Sequence, residues 1–431
     1  MDSSRRTFVL AAGSALASTR IWGANDRIPV VVVGLGGRGR AHMQEMGGLP
    51  EAEIIGLCDV NQAAVERGQA LVTKANGGKT PKGYDDMRKV FDDKDVAAVS
   101  MPLPNHWHAL ATIWACQAGK DVYIEKPACH NIYEGRKMVE AARKYKRMVQ
   151  VGSQSRSIPH KMKAIKMVHE GAIGKVYGAR GLCFKGRESI GHKPDAATPA
   201  GLDWDKFLGP APMRPFNELR FAYNWHWFWD TGNGDIGNQG VHEMDIARWG
   251  LGVDLPTKIT STGGRYVWND DGETPNTQIA HFDYGDKELT FEVRNVSYTN
   301  EGQMGMTETN VVGDLFFGSE GTLAVNGRGF QLYKGQKREK VLDEKAERGS
   351  DTKLHMANFL AACRSRDYKD LHAEVEIGVL SADMCHLANI AYRVGQSVHF
   401  DPKAEKFFGD SAADRLTTRD YRKGYVVPGK V

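Results

Sequence analysis

Ile28–Asn61 reads IPVVVVGLGGRGRAHMQEMGGLPEAEIIGLCDVN, and this stretch decides the fold. It opens on an apolar run, turns through glycines, continues as a helix, and ends in a second apolar run closed by Asp59. Gly34, Gly36 and Gly39 hold the positions of a GxGxxG turn between strand and helix, with Gly37 and Arg38 between them. Such glycines allow a tight turn and a close approach of backbone to a pyrophosphate, whose charge the helix N-terminus stabilises. A lone GxGxxG is a weak signal. Here an acid stands 20 residues beyond the last glycine, where a ribose hydroxyl would be bound. Together they predict a dinucleotide site. Asp59 would repel a 2′-phosphate, which favours NAD over NADP.

Working outward, strands and helices keep alternating through RMVQVGS, and several strands are apolar throughout. That is the pattern of a parallel sheet covered on both faces. Residues 25–151 are therefore expected to form a doubly wound Rossmann domain within an α/β fold. Residues 152–410 read differently, with a helix, a long Gly/Pro/aromatic segment and then alternating strands. These predict an α+β domain with a large, mostly antiparallel open sheet. A late helix near 375–395 is placed to pack back on the first domain, and residues 411–431 are read as a tail. A chain of 431 residues suits two domains. Its formal charge of +4 and lack of a basic block interleaved with aromatics argue against nucleic acid.

Residues 1–24 stand apart: Arg5 and Arg6 precede a short apolar run of small residues. The run is too short to span a bilayer and fits a twin-arginine export signal, giving a periplasmic or extracytoplasmic protein without a membrane span after cleavage. The six cysteines show no CxxC or other metal spacing, so neither disulfides nor a metal site is expected.

Candidate chemistry gathers in a few places. Glu125–Pro127, EKP, closes an apolar strand, and ligands of such sheets bind at strand carboxyl ends. Lys126 there can stabilise a developing alkoxide; the alternative is a surface lysine at a strand exit. In GDIGNQGVHEMD, Asn238, His242 and Asp245 are spaced to share one helical face, as a capped helix start or as an acid–base group. Arg156 leaves the last Rossmann strand and can bind substrate or form an inter-domain ion pair. In YNWHWFW, Tyr223, Trp225 and His226 are candidates for the face of a sugar, though most of these rings should be core. Lys185 and Arg187 are further substrate-side candidates, whereas His386, Asn389 and Arg393 on the late helix read as structural.

VVVGLGGRG, CDVN, PNHWHALATIWACQAGKDVYIEKP and GDIGNQGVHEMDIARW together resemble the Gfo/Idh/MocA family of sugar and cyclitol oxidoreductases. The resemblance runs from about Arg27 to Asp410, and LDWDKFLGPAP and CHLANIAYRVGQSVHFDP resemble an exported branch. It implies hydride transfer between NAD(P) and a sugar-like carbon, and a C-terminal sheet that makes dimers or tetramers. It also implies that Lys126 and His242 are catalytic, with Asn238 and Asp245 beside them. Asn105, His108 and Glu125 fall on the cofactor side. The family usually has Asp where this chain has Asn238, so either Asp245 orients His242 or the base is weaker. Lys126 as the acid–base group is a further option. Export adds a constraint, because a periplasm keeps no pool of free NAD. A tightly held NAD must then be regenerated in each cycle, by transfer between two sugars or by transient oxidation, elimination, hydration and re-reduction of a glycoside. A non-catalytic sugar-binding protein with a structural NAD is the third reading.

Overall fold

The computed structural model describes residues 26–296, 311–347, 349 and 351–431; the export signal expected at 1–24 lies outside them. The first layer is a six-stranded parallel sheet. Its elements run β1 (Ile28–Val33), α1 (Gly37–Gly47), β2 (Ala52–Cys58), α2 (Gln62–Ala75), β3 (Lys82–Tyr84), α3 (Met87–Asp92), β4 (Ala98–Met101), α4 (Asn105–Gln117), β5 (Asp121–Ile124), α5 (Ile132–Tyr145) and β6 (Val149–Val151). The order β3-β2-β1-β4-β5-β6 reverses direction at β1, so a crevice opens beyond the strand ends between β1 and β4. β3 and α3, which the apolar pattern alone does not announce, are both short. Local chemistry sets several helix starts. Asn61 caps α2 by accepting from the Ala63 amide, and Asn131 caps α5 through the Glu134 amide.

The second layer is a ten-stranded sheet. Its elements are α6 (Pro159–His169), β7 (Val176–Phe184), α7 (Trp204–Leu208), α8 (Gly234–Asn238), α9 (Gly240–Leu251), β8 (Lys258–Gly264), β9 (Thr277–Asp283), β10 (Glu288–Arg294), β11 (Val311–Gly318), β12 (Gly321–Asn326), β13 (Gly329–Lys334) and β14 (Glu339–Lys345). They are followed by α10 (Asp351–Ser365), α11 (Val375–Val394), β15 (Val398–Asp401), β16 (Lys406–Phe407) and α12 (Ser411–Arg415). The sheet order is β14-β13-β12-β11-β7-β10-β9-β8-β15-β16. Only β7 and β10 pair in parallel; the remaining neighbours are antiparallel.

Helix α9 crosses the inner face of this sheet at close range. A Cβ on Gly250 would lie 2.3 Å from a ring carbon of Phe316, so glycine is required there. The expected division at residue 151 is crossed twice. Met356, Phe359 and Leu360 of α10 enter the Rossmann core beside Val30 and Tyr123. Val375 and Val379 of α11 pack with Val149 and Val151. The segment read as a tail also returns: Arg419 donates to Glu134 at 3.0 Å, and the Tyr425 ring meets Trp107 edge-on. All six cysteines are buried and unpaired with one another.

Candidate active site

The site begins at the glycine turn. Gly34 has φ +95°, and a Cβ there would meet the Pro102 carbonyl oxygen at 2.8 Å. A Cβ on Gly39 would lie 2.0 Å from the Gly34 carbonyl oxygen, so that glycine lets α1 sit down on the turn. Gly36 and Gly37 are the opposite case, with open space where a Cβ would project. No side chain caps the α1 N-terminus at Gly36. Free first-turn amides, facing a gap that glycine keeps open, suit a pyrophosphate. Asp59 is held at the end of β2 by the Leu35 amide at 2.6 Å and the Asn61 amide at 2.8 Å. Burial raises its pKa above the usual carboxylate value, and these amides oppose the rise. A cavity of about 1020 Å³ opens beside it, against the 198–206 segment. Asn105, at the end of the crevice by β4, donates to Asn233, while its own Oδ1 is buried without a partner among the described residues. The residues present fit a bound dinucleotide.

Glu125 is the hub behind this turn. It accepts from Arg38 at 2.7 Å, His42 at 2.9 Å and Gln154 at 3.1 Å. Burial would raise its pKa, but the cationic Arg38 and the His42 bond win and hold it well below the usual range. Burial also lowers the His42 pKa, so the ring is neutral and Nε2–H is the donor to Glu125. Arg38 also reaches Thr352 at the start of α10. Arg38 and Glu125 therefore brace the cofactor turn, and Gly152 leaves room for the carboxylate, 2.9 Å from where its Cβ would be.

Next along the chain, Lys126 precedes a cis bond to Pro127. Its ammonium donates to the Asn238 backbone oxygen at 2.9 Å and to Asn238 Oδ1 at 3.3 Å. Burial lowers its pKa, and Glu125 opposes that fall. Asn238 in turn donates through Nδ2 to Tyr223 Oη at 2.9 Å and to Asp235 Oδ1 at 3.2 Å. Asp235 is fixed by Arg187 at 2.8 Å and by Asn295. The missing carboxylate at 238 is thus matched by one three residues earlier, reached through the amide of Asn238 itself.

His242 lies near the start of α9 and lines a cleft of about 400 Å³ with Gln154, Lys161, Gln239 and Glu243. Its Nδ1 is buried without a partner among the described residues. Burial, then the nearby Lys126 charge, push its pKa well below normal, so the ring is neutral and a weaker base than a free imidazole, in line with the second of the two expectations for Asn238. Glu243 beside it is raised by burial to about 7. Behind them, burial pushes the Asp314 carboxyl well up.

Several expectations change here. Asn238 ends α8 and His242 belongs to α9, so they are not on one uninterrupted helix. Asp245 does not orient His242: it is fully buried against Arg156, at 2.7 and 2.9 Å, and accepts from Ser381 at 2.6 Å. Arg156 therefore makes an ion pair within the second domain, neither facing the cleft nor bridging the domains, with its guanidinium 4.6 Å from the Trp249 ring centre. His108 lies against the Pro127 and Leu103 carbonyls, at 2.6 and 2.7 Å, and so positions the cis loop from behind. Tyr223 is half-exposed at Asn238, while Trp225 and His226 stack on each other behind it at 3.6 Å. Lys185 donates to Gln239 at 2.8 Å, at the cleft wall. Asp235, Glu243, Lys161 and Asp314 were missed. Asp235 alone had a local signal, as an acid seven residues before His242.

A parallel Rossmann sheet with an open glycine turn, joined to a sheet domain that brings a histidine helix to its lysine, is the architecture of a family of dinucleotide-binding oxidoreductases. Sequence profiles agree: an oxidoreductase family NAD-binding Rossmann fold matches residues 28–153, and an oxidoreductase family C-terminal alpha/beta domain matches residues 166–427. The chain belongs to the Gfo/Idh/MocA family of NAD-binding oxidoreductases. A glycosyl hydrolase family 109 protein of Saccharopolyspora erythraea is 27% identical over 219 residues, covering 49% of this chain and 42% of that one. Levoglucosan dehydrogenase of Pseudarthrobacter phenanthrenivorans is 28% identical over 167 residues, covering 39% of this chain and 36% of that one. Both matches span less than half of the relative's length. The WlbA dehydrogenase of Bordetella pertussis, solved with NADH and UDP-GlcNAcA, shares the fold at a TM-score of 0.66 and 18% identity, covering 87% of this chain and 99% of that one.

Proposed function

We propose that the protein is an NAD-dependent oxidoreductase acting on a hydroxyl-bearing carbon of a sugar, glycoside or cyclitol. The observation that carries this reading is the Lys126 ammonium, half-buried just past the end of β5 and anchored to Asn238 close to a neutral His242. Two of its three donors are used by Asn238, which leaves one for a substrate oxygen. When bound, the nicotinamide would supply hydride acceptance. His242 takes the hydroxyl proton, and Lys126 stabilises the oxyanion as it develops. Tyr223 and Gln239 are placed to hold neighbouring hydroxyls. NAD is favoured over NADP because the cavity beside Asp59 is lined by five carboxylates (Asp59, Glu66, Asp85, Asp203, Asp205) and one lysine. That lysine, Lys206, is already paired with Asp203 at 3.0 Å.

The test is Lys126→Ala. It is expected to slow the chemical step by ~10²–10⁴-fold, the usual worth of a positioned acid–base group, and to leave NAD binding by calorimetry unchanged. Near-parental turnover would remove Lys126 from the mechanism.

Glu243 favours a second reading, redox-neutral cleavage of a glycoside. A carboxyl whose pKa is about 7, lining the cleft with His242, suits proton delivery to a leaving group. The likeness to a glycosyl hydrolase family 109 protein supports it. Mass spectrometry of products from free sugars and glycosides separates the readings. An oxidised sugar supports the dehydrogenase, a released aglycone the glycosidase, and no product with retained NAD a binding protein. We also propose export with NAD already loaded, and assembly of two or four copies through the outer face of the ten-stranded sheet.

A further inference from the structure

Behind the cis loop, away from the cleft, three side chains from two parts of the chain converge. Cys129 follows Pro127 by two residues, and Asp383 and His386 stand one helical turn apart on α11. Their ligand-type atoms all lie within 4.8 Å of one another. All three are buried, with exposures of 0%, 1% and 4%. The Cys129 Sγ to His386 Nε2 distance is 3.5 Å. A tetrahedral metal with bonds of about 2.3 Å to sulfur and 2.05 Å to nitrogen would set those atoms about 3.6 Å apart.

Asp383 Oδ1 is buried without a hydrogen-bond partner among the described residues. An orphaned carboxyl oxygen in a protein interior is costly, and a native structure that keeps one calls for a reason. Cys129 and Asp383 also face each other across the seam between the Rossmann domain and α11, where apolar side chains would pack more cheaply.

We propose that Cys129, Asp383 and His386 form a divalent metal site of the kind that takes zinc. A thiolate and a carboxylate together balance a 2+ charge, so the filled site is neutral in a low-dielectric interior. Sulfur and imidazole donors disfavour calcium and magnesium, which require oxygen. Three protein ligands leave a fourth position for water. The ion would fasten the loop that carries Lys126 to α11, 257 residues away from Cys129 at the His386 ligand. The ligands are too far apart in sequence for any local metal spacing, so the expectation of no metal site had nothing to read. The site does not depend on the hydride-transfer reading, and each can fail alone.

The experiment is metal analysis and cobalt substitution of the full-length protein, purified without chelating resin. Elemental analysis is expected to find about one zinc per chain after zinc exposure and dialysis. Cobalt(II) is expected to give a thiolate-to-cobalt charge-transfer band in the near ultraviolet with intense tetrahedral bands in the visible. Cys129→Ser is expected to abolish the charge-transfer band, while Cys116→Ser keeps it. Loss of an outer partner of a metal ligand costs ~10–100-fold in affinity, so Asp383→Asn and His386→Gln are expected to weaken zinc at least ~100-fold in a competition titration. Should these variants fail to fold, the parental cobalt spectrum still decides. Failure of the parental chain to bind stoichiometric metal, a spectrum without thiolate character, or a band that survives in folded Cys129→Ser would each overturn the site.

Discussion

Asn238→Asp would install the carboxylate that the family resemblance implies at this position, and the geometry says that it should harm this protein. The parental Oδ1 lies 3.3 Å from the Lys126 ammonium, and Nδ2 lies 3.2 Å from Asp235 Oδ1. A carboxylate at this position gains attraction to the first and repulsion from the second. With an effective dielectric near 20, unit charges at those separations interact by roughly 5 kcal/mol each. The two terms nearly cancel. What remains is the lost amide bond to Asp235, a hydrogen bond to a charged group worth ~1.5–3 kcal/mol. Asp235 cannot relieve the clash by swinging away, because Arg187 and Asn295 hold it. The expected loss is about 2 kcal/mol, seen for a chain of 431 residues as a fall of about 2 °C in the thermal midpoint at a fixed scan rate, with slower rather than faster turnover. Adding Asp235→Asn returns one carboxylate and one amide to the pair in exchanged positions, and should recover most of the midpoint. A single Asn238→Asp variant as stable as the parent and faster would refute the idea that Asp235 replaces the family carboxylate.

Arg156→Met leaves Asp245 buried and unpaired, and should cost ~3–5 kcal/mol in denaturant unfolding, with Arg156→Met/Asp245→Leu less damaging than either single change; additive losses would contradict this. Glu243 binds its proton more tightly when folded, so its stabilising contribution is complete below the unfolded pKa near 4.5 and is lost as pH rises toward about 7. Glu243→Gln should flatten the fall in thermal midpoint across that window, where one carboxyl changes stability by up to ~1.4 kcal/mol per pH unit; an unchanged slope would mean that Glu243 is not the group responsible. Asp59→Ala should raise the NADP-to-NAD ratio of kcat/KM by about tenfold, equivalent to ~1.4 kcal/mol; an unmoved ratio would place Asp59 away from the ribose.

The Rossmann half was legible because its information is local. Apolar strands, the GLGGRG turn and Asp59 all fall within 34 consecutive residues. Lys126 and His242 were legible through short motifs, and the structure brings them together through Asn238. Asp245 was misread because helical spacing gives the direction of a side chain but not its partner, and Arg156 stands 89 residues away. Glu243 and Asp314 carry no sequence signal, since their chemistry comes only from burial. At the edge of the second sheet the pattern fades, because β14 is exposed and charged and its alternation is faint.

The two late returns to the Rossmann core have a consequence for synthesis on the ribosome. Met356, Phe359 and Leu360 complete an apolar face whose other half has been translated by about residue 151, and Val427 and Val431 complete another. At ~5–20 residues per second, the first of these seams stays open for roughly 10–40 s after its partner strands emerge. The nucleotide-binding half is therefore not an autonomous folding unit in time, although its topology is complete in sequence. During that interval an apolar face of the Rossmann layer stays uncovered, and any slowing of synthesis between residues 151 and 356 lengthens its exposure.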